Sequence, residues 1–139
     1  MLGGGVAATI ALDSQLFGPE STQGLGYWDQ FSHLEVIFLL NKIPAESAEK
    51  GARHPRGRTD WPQMGIFAQR SKDRPNRIGI TICKLLFVQG LEIRVSELDA
   101  VDDTPVLDVK PYLKGFAPRG EVREPARANE LVAGYFCQS

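Results

Sequence analysis

Two strand-like runs with almost nothing between them constrain this chain most. Ile78 to Val88 is rich in isoleucine and carries a threonine. After it, Leu91, Ile93 and Val95 alternate with Glu92, Arg94 and Ser96, the period of two that marks a half-buried strand. Only Gln89-Gly90 separates the runs. A gap of two residues holding a glycine closes a hairpin and nothing else, so the two strands must be antiparallel neighbours. Shorter apolar runs repeat the signal at Val6–Leu12, His33–Asn41, Met64–Gln69 and Val106–Val109, bounded by Asp29-Gln30, Lys42-Ile43-Pro44 and other polar breaks. Helical signals are short: a polar turn or two from Pro44 to Lys50 ended by Gly51, and one turn over Asp13–Phe17 capped by Asp13 or Ser14. Past Pro111, the prolines at 118 and 125 and Gly120 predict surface loop with one terminal helical turn. The expectation is a mainly β fold, a small single-domain β-barrel of about six or seven short strands, since an open sheet would leave long edges. Its core would run over residues 6–113, with a loop-rich extension over 114–139.

The chain has 139 residues, enough for one domain with one core. Apolar residues make up 42% and charged residues 24%, a globular balance that argues against disorder. Cys83 and Cys137 stand far apart. With only two histidines beside them, no structural zinc site or other metal is expected, and Cys83 reads as a buried core thiol. Val36–Leu40, the longest unbroken apolar run, is too short to span a bilayer, and no charged segment precedes an apolar one at the start. A cytoplasmic protein without a membrane partner is expected. Neither a strand-linked G-x-G-x-x-G nor a G-x-x-x-x-G-K-[ST] loop occurs, and Gly3-Gly4-Gly5 opens no helix, so the common nucleotide-phosphate cradles have no support.

Charge is segregated along the chain. Residues 53–77 hold seven cations against Asp60 and Asp73, while residues 92–108 hold six carboxylates against Arg94. The two segments either pair or form separate ligand-binding faces. Within Gly65–Thr81, Pro75 fixes its own backbone angle and biases Arg74 away from helix, so Arg74-Pro75-Asn76 is a defined bend. Asn76 tolerates left-handed geometry and Gly79 permits close approach. That bend presents Arg70, Ser71 and Arg74 to a polar ligand, or is a solvated turn. Leu98–Pro105 gathers Asp99, Asp102, Asp103 and Thr104 after a strand. A carboxylate there can accept ribose hydroxyls or offset a cationic ligand, the alternative being an acidic turn; the spacing is not that of a calcium loop. Asp108 and Lys110 share a strand face with Tyr112 close by, which makes either a proton-handling cluster or an ordinary ion pair at a rim. His33 before its apolar strand reads as structural rather than as a base. Trp61 either stacks a base or packs on the basic loop, Phe31, Phe38 and Phe67 read as core, and Tyr27-Trp28 reads as an interface patch.

Three blocks in order, FSHLEVIF (Phe31–Phe38), GIFAQRSKDRPNRIG (Gly65–Gly79) and LDAVDDTPVLDVKPYL (Leu98–Leu113), resemble the TsaA-like family, which includes the TrmO-type tRNA methyltransferases. The likeness covers roughly Ile10–Leu113. It implies a small β-barrel that binds S-adenosylmethionine, a homodimer with pockets near its interface, and methylation at N6 of threonylcarbamoyl-adenosine beside the tRNA anticodon. By this resemblance Asn41, Arg70, Ile80, Leu98 and Asp99 line the cofactor pocket, together with Ser71 and Thr104 of the same blocks. Asp108, Lys110 and Tyr112 match the family's D-x-K-P-Y cluster on the reacting side. The chemistry suits those places: Arg70 for the methionine carboxylate, Asp99 for the ribose, main chain near Thr104 for adenine, and Asp108 as base with Lys110 or Tyr112 orienting it. Arg77 stands where the family usually has proline and Asp103 where it usually has glycine, and the family's opening strand and P-R-Q loop are not readable in residues 1–12. A methyltransferase using the same cofactor on a small molecule or another nucleobase remains an alternative, as does a non-catalytic module that binds the cofactor or RNA.

Overall fold

The computed structural model describes residues 7–26, 30–41, 51–53, 63–70, 74–100, 102–126 and 128. Among them the chain forms strands β1 (Ala7–Ala11), β2 (His33–Leu39), β3 (Ala52–Arg53, not expected from the sequence), β4 (Met64–Gly65), β5 (Ile78–Gln89), β6 (Glu92–Ser96) and β7 (Val106–Pro111). Helical structure among the described residues comprises 3-10 turns at Pro19–Thr22, Ile66–Ala68 and Lys114–Phe116, a helical residue at Ala128 whose N–H donates to the Pro125 carbonyl at 2.9 Å, and a capped turn at Asp13, whose Oδ1 accepts the Gln15 N–H at 2.9 Å. The expected helical segment at Pro44–Lys50 lies outside the described residues.

Five strands form one antiparallel sheet in the order β1-β6-β5-β2-β7, and β3 with β4 makes a separate two-stranded one. Among the described residues the sheet is not closed, so the expected barrel is not confirmed. Closure requires the first and last strands of the sheet to share a ladder. Among the described residues β1 pairs with β6, from Ala7 opposite Ser96 to Ala11 opposite Glu92, β7 pairs with β2, and no ladder joins β1 to β7. The chain divides by contact density into two compact units. One comprises residues 1–36, 81–99 and 108–139, the other residues 37–80 and 100–107.

In the first unit the β5–β6 hairpin forms as expected, one residue later than the sequence suggested. Gln89 pairs with Glu92, so Gly90-Leu91 is the loop, and Gly90 sits at φ 59°. A positive φ at the first loop position suits glycine, and that moves the turn. Between Leu85 and Phe87 the ladder slips by one residue, a β-bulge at Leu86. Ile10, Leu34, Val36, Cys83, Ile93 and Val95 are all buried. Each such aliphatic side chain contributes about 1.5–3 kcal/mol of transfer free energy. The near-continuous apolar run on β2 resolves into alternation, with Leu34, Val36 and Phe38 buried and the residues between them half-buried. Cys83 is the core thiol expected: burial pushes it up to about 11, which keeps it neutral and unreactive at ordinary pH. Thr22 Oγ1 ties the first 3-10 turn to the hairpin by donating to the Gly90 carbonyl at 2.8 Å.

In the second unit Phe38 and Ile66 are buried. Leu39 N–H donates to the Pro105 carbonyl at 2.9 Å and Leu40 N–H to the Arg77 carbonyl at 2.8 Å. Arg77 has φ 55° and Asp103 φ 65°, both left-handed. Asp103 therefore keeps the backbone shape for which the family's glycine is suited. Arg77 does the opposite, because proline is locked near −65° and has no N–H. The Arg77 N–H here donates to the Arg74 carbonyl at 3.1 Å. Arg77→Pro should accordingly lower stability by about 2 kcal/mol, a lost turn bond plus backbone strain. Asp103→Gly should stay within about 0.5 kcal/mol of the parent protein, since relief of left-handed strain offsets glycine's entropy. Urea denaturation of both variants measures the two effects.

Candidate functional site

The three blocks singled out in the sequence fall on turns and strand ends. In the second unit, Met64–Gln69 is not the strand expected. After two strand residues it tightens into the 3-10 turn Ile66–Ala68, with Ile66 buried and Phe67 81% exposed. Phe67 is thus corrected from core to surface. Its ring lies 5.9 Å from the Arg74 guanidinium, a cation–π contact. Arg74, expected on the ligand-facing bend, spends its Nη1 donors on the carbonyls of Gln69 at 2.5 Å and Ile66 at 3.3 Å. Gln69, not singled out in the sequence, donates from Nε2 to the Met64 carbonyl at 2.8 Å. Arg70 follows this turn and is exposed.

The bend at Arg74-Pro75-Asn76 is present, closed by the Arg77 N–H on the Arg74 carbonyl. Asn76, which tolerates left-handed geometry, does not adopt it. Its Oδ1 accepts the Ile78 N–H at 3.0 Å, and the positive φ passes to Arg77. Ile80 lies on β5 and is 44% exposed, next but one to Ile78 at 38%. Asn41 follows β2, its N–H on the Leu39 carbonyl at 2.9 Å, and Thr104 is half-buried. Ser71 and Trp61 lie outside the described residues, as do Tyr27-Trp28 and several of the expected cations.

In the first unit, Leu98 is buried and Asp99 half-buried just past β6, where Glu97 bends the chain at φ 67°. Burial raises the Asp99 carboxyl above its ordinary value. A carboxylate partly withdrawn from water gains more from accepting hydroxyl donors than an exposed one does. On β7, Asp108 and Lys110 do meet: Nζ stands 3.1 Å from Oδ2, with the side chains 47% and 57% exposed. Asp108 Oδ1 accepts the Val109 N–H at 2.8 Å, which fixes the carboxylate from its other side. Tyr112 is half-buried and its N–H donates to the His33 carbonyl at 3.0 Å. The His33 ring meets Ser32 Oγ through Nδ1 at 2.7 Å, a local contact that suits the structural role expected of it.

Groups that suit parts of the expected cofactor are present in each unit by itself: an exposed guanidinium at Arg70 and an exposed aliphatic side chain at Ile80 in the second, and a half-buried carboxylate at Asp99 in the first. No group of three metal-ligating side chains occurs among the described residues, and no helix among them is long and apolar enough to cross a membrane. Residues 2–117 match the tRNA-methyltransferase O N-terminal domain. The chain belongs to this family.

Relatives of the chain include a human protein named tRNA (adenine(37)-N6)-methyltransferase. It is 38% identical over 120 residues, covering 85% of this chain and 26% of the human one. A Pyrococcus abyssi protein named as a probable S-adenosyl-L-methionine-binding protein is 34% identical over 110 residues, covering 76% of this chain and 54% of its own length. Among solved structures, TrmO from Pseudomonas aeruginosa superposes with a TM-score of 0.63 at 27% identity, covering 84% of this chain and 46% of that one. The chain thus spans between a quarter and about half of the length of these relatives.

Proposed function

We propose that this domain binds S-adenosyl-L-methionine and transfers its methyl group to N6 of the modified adenosine beside a tRNA anticodon. The observation that carries the reading is the family match across residues 2–117. Names of relatives at 34–38% identity, one for the methyl transfer and one for the cofactor, support it. When bound, the cofactor supplies an electrophilic methyl group on a sulfonium. The protein's part is then alignment, exclusion of water and removal of a proton. A nitrogen acylated as a urea is a poor nucleophile until its proton leaves. Asp108 is assigned as the base that takes this proton, with Lys110 holding the carboxylate through its 3.1 Å contact and Tyr112 beside them in sequence. Arg70 is assigned to the methionine carboxylate, Asp99 to the ribose, and Asn41, Ser71, Ile80, Leu98 and Thr104 to the remaining contacts. These roles rest on the motif matches. A tRNA substrate fits a cytoplasmic setting, and the family match over residues 2–117 fits a single working domain made of both compact units.

Purified protein should bind S-adenosyl-L-methionine with micromolar affinity, about −8 kcal/mol, by calorimetry. Absence of heat and of any thermal shift at saturating ligand would sink the cofactor reading. Labelled-methyl transfer to tRNA from cells lacking the modification, resolved by nucleoside mass spectrometry, tests the substrate. The exposure of the Asp108–Lys110 pair specifically favours a second reading, a binding module without turnover. Cofactor binding with no labelled product would select that reading. Exposed Ile78 and Ile80, with half-buried Ile37 and Leu39 on the neighbouring strand of the same unit, favour a homodimer that covers this apolar face. Light scattering should report twice the chain mass, 15.3 kDa being that of one chain. A monomer at high concentration would count against the covered face.

A further inference from the structure

Arg74 stands four residues past Arg70 and turns its charge onto the backbone. The two carbonyls it binds bracket the 3-10 turn Ile66–Ala68: Ile66 begins it and Gln69 follows it. The turn's own closing bond, Gln69 N–H to the Ile66 carbonyl, is long at 3.3 Å, so the 2.5 Å bond from Arg74 is the tighter tie. The Gln69 carbonyl belongs to the peptide that leads into Arg70. Holding that oxygen holds the peptide plane, and with it the Arg70 N and Cα from which the side chain departs, leaving φ as the one backbone rotation that re-aims it. The Phe67 ring lies beside the guanidinium, its centroid 5.9 Å away. Both carbonyls are held by Nη1 alone, so a side chain of similar length without donors is what removes the clamp.

We propose that Arg74 is the positioning residue for Arg70: by clamping the Gln69–Arg70 peptide it aims the Arg70 guanidinium at the carboxylate end of the bound cofactor. The inference rests on the cofactor reading above and deepens it, since it names which end of the ligand depends on which arginine. Its signature is selectivity between ligands. S-adenosylhomocysteine carries the amino-acid carboxylate, whereas methylthioadenosine has the same adenosine and thioether without it.

Calorimetry with both ligands provides the test. Arg74→Met should weaken S-adenosylhomocysteine about tenfold and methylthioadenosine less than about twofold, as should Arg70→Ala. The double variant Arg70→Ala/Arg74→Met should bind S-adenosylhomocysteine within about twofold of Arg70→Ala alone, because the clamp acts only through Arg70. Should Arg74→Met lose its near-ultraviolet circular dichroism, Gln69→Ala removes another side-chain tie on the same turn and should show the same selectivity at smaller size. Equal loss for both ligands, or additive losses in the double variant, would make Arg74 an ordinary fold anchor and overturn the proposal. If the parent protein binds S-adenosylhomocysteine and Arg70→Ala binds it equally well, the cofactor reading stands and the clamp does not. If the parent binds neither ligand, the cofactor reading falls and takes the clamp with it.

Discussion

Asp108→Asn should slow single-turnover methyl transfer by about 100-fold or more while leaving cofactor affinity nearly unchanged. The substitution keeps the shape of the side chain and its acceptor for the Val109 N–H, which Oδ1 holds at 2.8 Å. It removes the charge that faces Lys110 at 3.1 Å and the basicity that proton removal needs. Lys110→Met should slow the step less, since it orients the carboxylate and takes no proton. The pair is exposed, so its net contribution to folding is at most about 1 kcal/mol, and loss of rate in these variants cannot come from unfolding. Rapid-quench measurement with both ligands saturating isolates the step. A near-normal rate for Asp108→Asn would move the base to His33 or to the Tyr112 phenol.

The second large effect belongs to the fold. Gly79 lies on β5 against the ring of Phe38, and a Cβ placed there would run into Cε2 and, at 2.6 Å, Cζ. Phe38 is 3% exposed, so the ring has nowhere to swing. Gly79→Val should therefore cost about 3 kcal/mol, the upper end of the usual overpacking range, and lower the melting temperature by about 10 °C. Phe38→Leu on that background should recover part of the loss, because the shorter side chain vacates the position of the ring edge. Calorimetric melting of the two single variants and the double variant gives the coupling; strict additivity would show that the ring and the glycine do not meet.

What was legible in the sequence was whatever depends on neighbours along the chain. A gap of two residues dictated the β5–β6 hairpin, and period two placed Asp108 and Lys110 on one face, where they meet. Less was legible where long-range or three-dimensional partners decide. Whether β1 and β7 share a ladder is a matter between strands almost a hundred residues apart, and no local pattern carries it. The exposure of Phe67 and the carbonyl contacts of Arg74 were missed together for one reason. Once Ile66–Ala68 is a 3-10 turn instead of a strand, its carbonyls converge on the arginine and its phenylalanine turns out to solvent. The positive φ at Arg77 rather than at Asn76 has a similar origin, since the Asn76 side chain is already committed to the Ile78 N–H. Asp99 was legible as a carboxylate at a strand end, but its partial burial was not.

Among the described residues β7 is an outer strand of its sheet, and that position gives its sequence a second meaning. An outer strand offers its free backbone groups to any other extended chain, and proteins discourage such pairing with charges and prolines. Asp108, Lys110 and Pro111 supply both devices within four residues. The side chains assigned to chemistry therefore also guard the molecule against edge-to-edge aggregation. Neutralising them removes a gatekeeper along with a base, so the soluble fraction of Asp108→Asn and Lys110→Met must be measured alongside their turnover, at protein concentrations low enough to keep strands apart.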